Sequence, residues 1–283
     1  MICLCHNHAN YVVEAIDSVI NQTYTSWELI VVDVASTDDS LWRVEQYKLK
    51  NPDVSFKTLF LGENIGNCRA FNRAMMLTNA DYIIDLAADD ILLPQRLEMG
   101  VKHMNVLPEV AINFSNANYI DHENNILKSH YPVGATGKSS VYVPDGDVFE
   151  EVIRSYFICS PTMMYRASYL KNLGGYDETL AYEDFDIKIR MAQQYQFAFT
   201  DKILVHKRIL PNAMSTKQYK KGDRQLASTL AICYKILALI NTNSQKRALL
   251  MRIAFESKQA LLNFRLLLFL KFLYLGFKTI VKS

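Results

Sequence analysis

The first 110 residues alternate short apolar runs with segments of helical spacing. ICLC (residues 2–5) is uninterrupted apolar sequence, and YVVEAIDSVINQ (residues 11–22) puts Val12, Ala15, Ile16, Val19 and Ile20 on one helical face. WELIVVD (residues 27–33) reads as a second strand ending on an aspartate, and residues 36–51 as a helix whose opening serine, threonine and aspartates suit an N-terminus. SFKTLFL is a third strand, ENIGN a turn, and residues 68–78 a helix. YIIDLAADDILLPQRL (residues 82–97) opens as a fourth, buried strand and stops on two adjacent carboxylates, Asp89 and Asp90. Repeated strand–helix alternation predicts an α/β fold with a mostly parallel central sheet and helices on both faces.

Beyond residue 110 the pattern loosens. VAINFSNANYID predicts a strand, and the stretch to Pro144 is loop-rich. DVFEEVIRSYF predicts a helix, SPTMMYR a strand, RASYLKNLGGYD a helix closed by Gly174 and Gly175, and TLAYEDFDIKIRMAQQYQ an amphipathic helix entered through acidic residues. FAFTDKILVHKRI reads as two short strands, and from about Lys221 the chain is helical. LLNFRLLLFLKFLYLGFKTIVK (residues 261–282) is very apolar, yet Arg265, Lys271 and Lys278 interrupt it, so it makes a poor transmembrane span. Two readings stand: a helix lying in a membrane interface, or a helix packed on the domain or on a partner subunit.

Composition narrows the function classes. Half of the 283 residues are apolar, enough for a sizeable core, and a net charge of +2 does not suggest nucleic acid as the main partner. The five cysteines are scattered and lack zinc-site spacing, which points to buried thiols in a reducing compartment. Residues 1–5 lack a basic n-region and run straight into His6, Asn7 and His8, so no signal peptide is expected and the chain reads as cytoplasmic.

In open α/β sheets, ligands bind beyond the carboxyl ends of the strands. Three polar clusters are expected there: His6-Asn7 after the first strand, Asp33 after the second, and Asp89-Asp90 after the fourth. Two neighbouring carboxylates at a strand end are tolerated when a divalent cation neutralises them. Mg²⁺ and Mn²⁺ commonly take one or two carboxylates plus phosphate oxygens, and act as Lewis acids on a departing diphosphate. The competing reading is that Asp89 and Asp90 only cap the next helix.

These residues carry a resemblance. The chain resembles glycosyltransferase family 2, inverting nucleotide-sugar enzymes of the GT-A fold, over roughly residues 2–215. LCHNHANYVVEAIDSVINQTYTSWELIVVD is similar to the family's opening strand, helix and QT-aromatic turn, ENIGNCRAFNRA to its N-x-G…N helix, and AADD to its Asp-rich metal motif. GGYDETLAYEDFD is similar to its G-G-F-D-E…E-D segment, and KRILPNAMS to its closing R-x-x-P-N-x-x-S. The resemblance implies that Asp90 ligates Mg²⁺ or Mn²⁺ and that Asp89 contacts the ribose or the metal. It further implies that Leu4, Cys5, His6, Asn7 and Asp33 line the nucleoside pocket. Asp184, with Glu183 as the fallback, becomes the base that deprotonates the acceptor hydroxyl. Arg69 could reach phosphate oxygens or be a surface helix residue.

The departures matter. The family's Asp-Asp-Gly-Ser after the second strand is here Asp33-Val34-Ala35-Ser36, which puts base recognition through the second carboxylate in doubt. Ala87 replaces the first aspartate of the longer motif, and Leu210 stands where many members have histidine, with His206 nearby as a substitute ligand or a structural residue. Asp85, in mid-strand, has no family counterpart.

The expected division is a nucleotide-sugar-binding half at 1–110, an acceptor and catalytic-base half at 111–218, and a helical extension at 219–283, membrane-associating in the first of its two readings. The expected activity is metal-dependent, hexosyltransferase-type transfer from a UDP-, GDP- or dTDP-sugar to a glycan or lipid-linked acceptor. Its expected setting is bacterial surface polysaccharide (O-antigen or capsule) synthesis, at the inner face of the plasma membrane. A non-catalytic scaffold of the same fold is the alternative. A nucleotidyltransferase is disfavoured because CHNHANY has no glycine, lysine or arginine for a phosphate loop.

Overall fold

The structure, a computed structural model, describes residues 1–211, 219–220 and 222–282. In chain order the elements are β1 (Ile2–Cys5), α1 (Val12–Ile20), β2 (Ile30–Val34), α2 (Ser40–Lys50), β3 (Lys57–Leu61), α3 (Asn67–Met75), β4 (Tyr82–Ile83), β5 (Asp85–Ala87), β6 (Ile91–Leu92), α4 (Arg96–Val106), β7 (Val110–Ile120) and β8 (Ile126–Ser129). They continue with α5 (Phe149–Arg154), a 3₁₀ turn (Ser160–Thr162), β9 (Met164–Arg166), α6 (Ala167–Asn172), α7 (Glu183–Ala192), β10 (Gln196–Arg208), α8 (Gln225–Leu239), α9 (Asn243–Leu262) and α10 (Leu266–Val281). The chain divides into two compact units, one of residues 1–146, 158–176 and 195–209, the other of 147–157, 177–194 and 210–283.

The first unit holds both sheets. A four-stranded, all-parallel sheet has the order β3-β2-β1-β5. All five residues of β2 are buried, which accounts for its unbroken apolar sequence up to Asp33. A second, mixed sheet runs β4-β9-β7-β10-β6, with β8 paired to β7. The single strand expected after Tyr82 is divided between the two sheets: β4 pairs antiparallel with β9, and β5 pairs parallel with β1. Period and burial are the same on either side of Ile84, so apolarity alone does not reveal the switch. Where two short strands were expected, β10 is one 13-residue strand. The polar pair Asp201-Lys202 sits at a register shift in its pairing with β7 and does not end it. The second strand starts later than expected, at Ile30, and SPTMMYR divides into the 3₁₀ turn and a three-residue strand.

α4 is locked by a fully buried arginine. Arg96 donates from Nη1 to Asn113 Oδ1 (3.0 Å) and from Nη2 to the carbonyls of Asn113 (3.0 Å) and Thr162 (2.7 Å), and burial lowers its pKa to about 9. A Cβ at Gly100 would lie 2.5 Å from Arg96 Nη1, so the helix needs glycine there. All five cysteines are free and buried, as expected.

The second unit is helical. Its core includes Arg252, whose guanidinium lies 3.7 Å from the centre of the Tyr156 ring, donates from Nε to Ile153 O (2.8 Å) and pairs with Glu256 (3.2 Å). Tyr156 also donates its hydroxyl to Glu256 Oε1 (2.6 Å). Burial raises the Glu256 carboxyl above its usual range, against the pull of Tyr156 and Arg252. Thr242 caps α9 by accepting from Gln245 N (3.1 Å). The C-terminal apolar stretch is not one helix: α9 ends at Leu262, Phe264 takes a left-handed φ of 55°, and α10 starts at Leu266. No described helix is long and apolar enough to cross a membrane.

Candidate active site

The parallel sheet delivers the ends of β1, β2, β3 and β5 to one edge, and polar side chains stitch the loops there together. Asn7, in the left-handed region at φ 59°, accepts from Thr37 N through Oδ1 (2.7 Å) and donates its own N–H to Ser36 Oγ (3.0 Å). His8 N donates to Ser40 Oγ (2.9 Å) and Ala9 N to Asp38 Oδ2 (3.0 Å). His6 Nδ1 lies 2.8 Å from Val34 O, and a carbonyl only accepts, so this nitrogen carries the proton. Nε2 is then the acceptor for Asn64 Nδ2 at 3.3 Å, reaching the loop after β3. Leu4 and Cys5 end the central strand, and burial pushes the Cys5 thiol up to about 11, so it lines the edge as a neutral group. Ser36, Thr37 and Asp38 were read in the sequence as a helix opening and Asn64 as part of a turn, not as site residues; their polar types just after a strand were the available signal.

Asp33 is buried. Its Oδ2 accepts from Ser36 N (3.0 Å), while Oδ1, also buried, meets no hydrogen-bond donor among the described residues. A buried acceptor without a donor is costly unless a ligand supplies one. Val34, in place of the second aspartate, is the last residue of β2 and is buried. Ala35 occupies the position of the motif's glycine at φ 52°, a conformation that glycine adopts freely and alanine does not. Ala35→Gly is expected to stabilise the fold by about 0.5–1 kcal/mol, read as a higher urea midpoint at unchanged m-value.

The double aspartate is held from behind by one residue. Arg208, at the end of β10 and in the R-x-x-P-N motif, donates its backbone N–H to Asp90 Oδ1 (2.8 Å) and its Nε to the carbonyl of Asp89 (2.9 Å). Its Nη1 reaches Asp121 O (2.8 Å), its Nη2 reaches Glu14 Oε2 (2.6 Å), and the guanidinium lies 4.5 Å from the centre of the Tyr11 ring. Gln22, of the QT-aromatic turn, fixes the chain just after the pair by donating to Leu93 O (2.9 Å) and accepting from Leu97 N (3.0 Å). Removing the guanidinium strands the Asp89 and Asp121 carbonyls. Arg208→Met should therefore lower stability by about 2–4 kcal/mol in urea unfolding; the pair to half-exposed Glu14 contributes little of that.

Asp90 is fully buried, and burial first, then the charge of Asp89, pushes its pKa up to about 8. Lys207 and the Arg208 hydrogen bond and charge oppose this without cancelling it. Asp89 is partly exposed, with Oδ1 3.8 Å from His8 Nδ1. Among the described residues no three His, Cys, Asp or Glu side chains converge as a complete metal cage. Two adjacent hard oxygen donors fit a cation that takes its remaining ligands from a diphosphate and water. A carboxyl held neutral by burial beside a charged neighbour is the condition that such a cation relieves. His206, half-buried on β10, has Nε2 3.5 Å from Asn118 Nδ2, and burial lowers its pKa. Arg69 is exposed, the third residue of α3.

Two of the sequence motifs meet each other. Asn72, in ENIGNCRAFNRA, donates to Tyr176 O (2.9 Å) and accepts from Tyr176 N (2.9 Å), gripping the start of GGYDE. Gly175, at φ 71°, lies so close that a Cβ would meet Asn72 Oδ1 at 2.4 Å. Tyr176 in turn donates its hydroxyl to Asp85 Oδ2 (2.9 Å), which gives the mid-strand aspartate a structural role.

In the second unit, YEDFD opens α7. Asp186 is buried and bound to Arg190 Nε and Lys235 Nζ, each at 2.6 Å. Lys235 also reaches Asp177 at 2.7 Å; although burial pulls the other way, the bonds from Lys235 and Thr179 hold the Asp177 carboxyl at about 2. Glu183 and Asp184 remain partly exposed in the first turn, with Asp184 Oδ2 3.6 Å from Lys188 Nζ. Residues 212–215 of the KRILPNAMS motif lie outside the described residues.

Comparison with known proteins bears on the family and the fold. An uncharacterized glycosyltransferase of Methanocaldococcus jannaschii, MJ1057, is 29% identical over 208 residues, spanning 71% of this chain and 67% of that protein. Chondroitin synthase of Escherichia coli is 26% identical over 86% of this chain, which spans only 34% of that protein. Among solved structures, the mannosyltransferase PcManGT from Pyrobaculum calidifontis, in complex with GDP-Man and Mn²⁺, superposes with a TM-score of 0.65 at 16% identity, covering 100% of this chain and 75% of that one; this likeness shows the GT-A fold. The sequence profile of Glycosyl transferase family 2 matches residues 1–174, and the chain belongs to that family.

Proposed function

We propose that the chain is an inverting glycosyltransferase that moves a hexose from a nucleoside diphosphate to an acceptor hydroxyl. The observation that carries this reading is the double aspartate, a buried and a partly exposed carboxylate side by side, clamped by Arg208 at the carboxyl edge of the sheet. In this reading residues 1–110 take the donor, 111–218 contribute the acceptor side and base, and 219–283 form the extension. This is a division of roles along the chain; the compact units interleave it.

Asp33 Oδ1 accepts a donor from the nucleobase, the loop of Leu4, Cys5, His6 and Asn7 walls the nucleoside, and Asp89 takes the ribose or shares the cation. Arg69 neutralises phosphate oxygens. Asp90, with Asp89, holds Mg²⁺ or Mn²⁺, whose contribution is Lewis-acid stabilisation of the departing diphosphate. Asp184 accepts the proton of the acceptor hydroxyl as that oxygen attacks the anomeric carbon opposite the diphosphate. The bond from that carbon to the diphosphate breaks, and configuration inverts. The acceptor is a glycan or lipid-linked glycan of a surface polysaccharide, met at the inner face of the plasma membrane.

Calorimetric titration of UDP, GDP, dTDP and CDP, with and without Mn²⁺, tests the reading. Metal-dependent binding of one diphosphate supports it. Absence of binding for all four under both conditions favours a scaffold that has lost its donor, with buried Val34 as the first place to look.

A further inference from the structure

Helix α10 carries its side chains in three longitudinal bands. Phe272, Leu275 and Thr279 are buried on one. Leu266, Leu270, Leu273, Phe277 and Ile280 recur at helical spacing on the opposite side and are each about half exposed or more, from 49% for Leu273 to 67% for Ile280. Phe264, 89% exposed at the break before the helix, extends the stripe. Such a run of hydrocarbon in water marks an interaction surface.

The cations say what covers it. No acidic residue follows Glu256, whereas Lys258, Arg265, Lys271, Lys278 and Lys282 do. Arg265 is occupied by the carbonyls of Lys220 and Asp223, and Lys282 by those of Leu237 and Ile240. Lys271 and Lys278, seven residues apart, both fall on the flank between the exposed stripe and the buried band, and both are exposed. Lys278 Nζ rests 4.8 Å from the centre of the Tyr274 ring on the same flank. A second copy of this chain would bring an equally basic face against a basic face. An anionic lipid surface matches the charge, and its acyl layer takes the stripe.

We propose that α10 docks this protein on anionic bilayers, lying in the interface plane. The Leu266–Leu270–Leu273–Phe277–Ile280 stripe inserts below the headgroups, and Lys271 and Lys278 lie at the lipid phosphates. Sixteen residues span only about 24 Å of helix, and one band is packed on α9, so the helix lies in the surface and does not cross it. This gives residue-level form to the membrane location in the functional reading, and its test is separable from that reading.

Vesicle flotation with phosphatidylcholine alone and with about one third phosphatidylglycerol provides the test. The full chain is expected to float with the anionic vesicles and to be released by salt. Leu270→Glu with Phe277→Glu should weaken flotation by at least about tenfold, with far-ultraviolet circular dichroism unchanged because both positions are exposed. Lys271→Gln with Lys278→Gln should remove the preference for anionic lipid. No flotation with either vesicle overturns the proposal. So does a dimer in analytical ultracentrifugation that the Glu pair converts to monomer while lipid binding stays weak. Flotation without nucleotide binding by the same preparation supports this proposal and sinks the donor reading; the reverse pattern does the opposite.

Discussion

Replacing Asp184 by asparagine is expected to lower the turnover of sugar transfer by about 10²–10⁴-fold, the range for removing a general base. The side chain keeps its shape and its place in the first turn of α7, where it lies partly exposed 3.6 Å from Lys188. Losing a negative charge near a helix N-terminus costs about 0.5 kcal/mol; the amide keeps an oxygen toward the buried Lys188 ammonium, and urea unfolding of the variant checks that the fold is retained. The loss should fall on kcat, with the KM for donor and the affinity for the nucleoside diphosphate changed by less than about twofold. Glu183→Gln is the internal comparison. If Glu183→Gln is inactive and Asp184→Asn is not, the two exchange roles. If neither variant changes a measured transfer rate, no carboxylate of YEDFD is the base. Asp186 is a poor candidate on structural grounds, since Arg190 and Lys235 already occupy both of its oxygens.

Most of the fold's positioning logic was legible, because burial writes itself into period. β1 is apolar throughout and β2 is apolar up to Asp33 since both are interior to a parallel sheet, and α1 shows its buried positions at helical spacing. What was missed are the places where local pattern does not depend on partner. The switch from β4 to β5 is one, since a residue buried in either sheet has the same character. The unbroken β10 is another: Asp201-Lys202 resembles a turn, but a bulge admits it within the strand. The break at Asn263–Arg265 was hidden for a related reason, as leucine and phenylalanine continue on both sides.

The site was legible by residue type and opaque in its connections. Asp33, Asp89 and Asp90 announced themselves as carboxylates after apolar strands. What the motif residues do for one another needed three dimensions. Arg208 clamps the double aspartate from more than a hundred residues away, Gln22 ties the segment behind it, and Asn72 grips Tyr176. Spacing along the chain carries no trace of such long ties. The motif arginine and glutamine, read in sequence only as family markers, are the supports that hold the double aspartate, and the asparagine ties two motifs together.

Asp90→Asn should produce two opposite effects in one protein, and both follow from its burial. Without divalent metal, the wild-type carboxyl is neutral in the folded state up to about pH 8, whereas in the unfolded chain it ionises near the ordinary aspartate value of 3.8. Between those values the native state holds a proton that the unfolded state has released. Stability is therefore greatest below pH 3.8 as far as this group is concerned, and falls as pH rises through the window, by no more than about 1.4 kcal/mol per pH unit. Asparagine has no proton to lose and retains an oxygen to accept from Arg208 N, so the metal-free variant should unfold at higher temperature than wild type at pH 8, with the gap closing toward pH 4. The same change removes an anionic oxygen from the cation's donors, so Mn²⁺-dependent binding of the nucleoside diphosphate should weaken by about 10²-fold or more, a loss of roughly 3 kcal/mol. Thermal unfolding against pH, paired with calorimetric titration, reads both. A variant that is more stable without metal yet gains no diphosphate binding from Mn²⁺ locates the cation at Asp90. A variant that is less stable at every pH, with metal-dependent binding intact, would make Asp90 a loop support and return the ligand role to Asp89 alone.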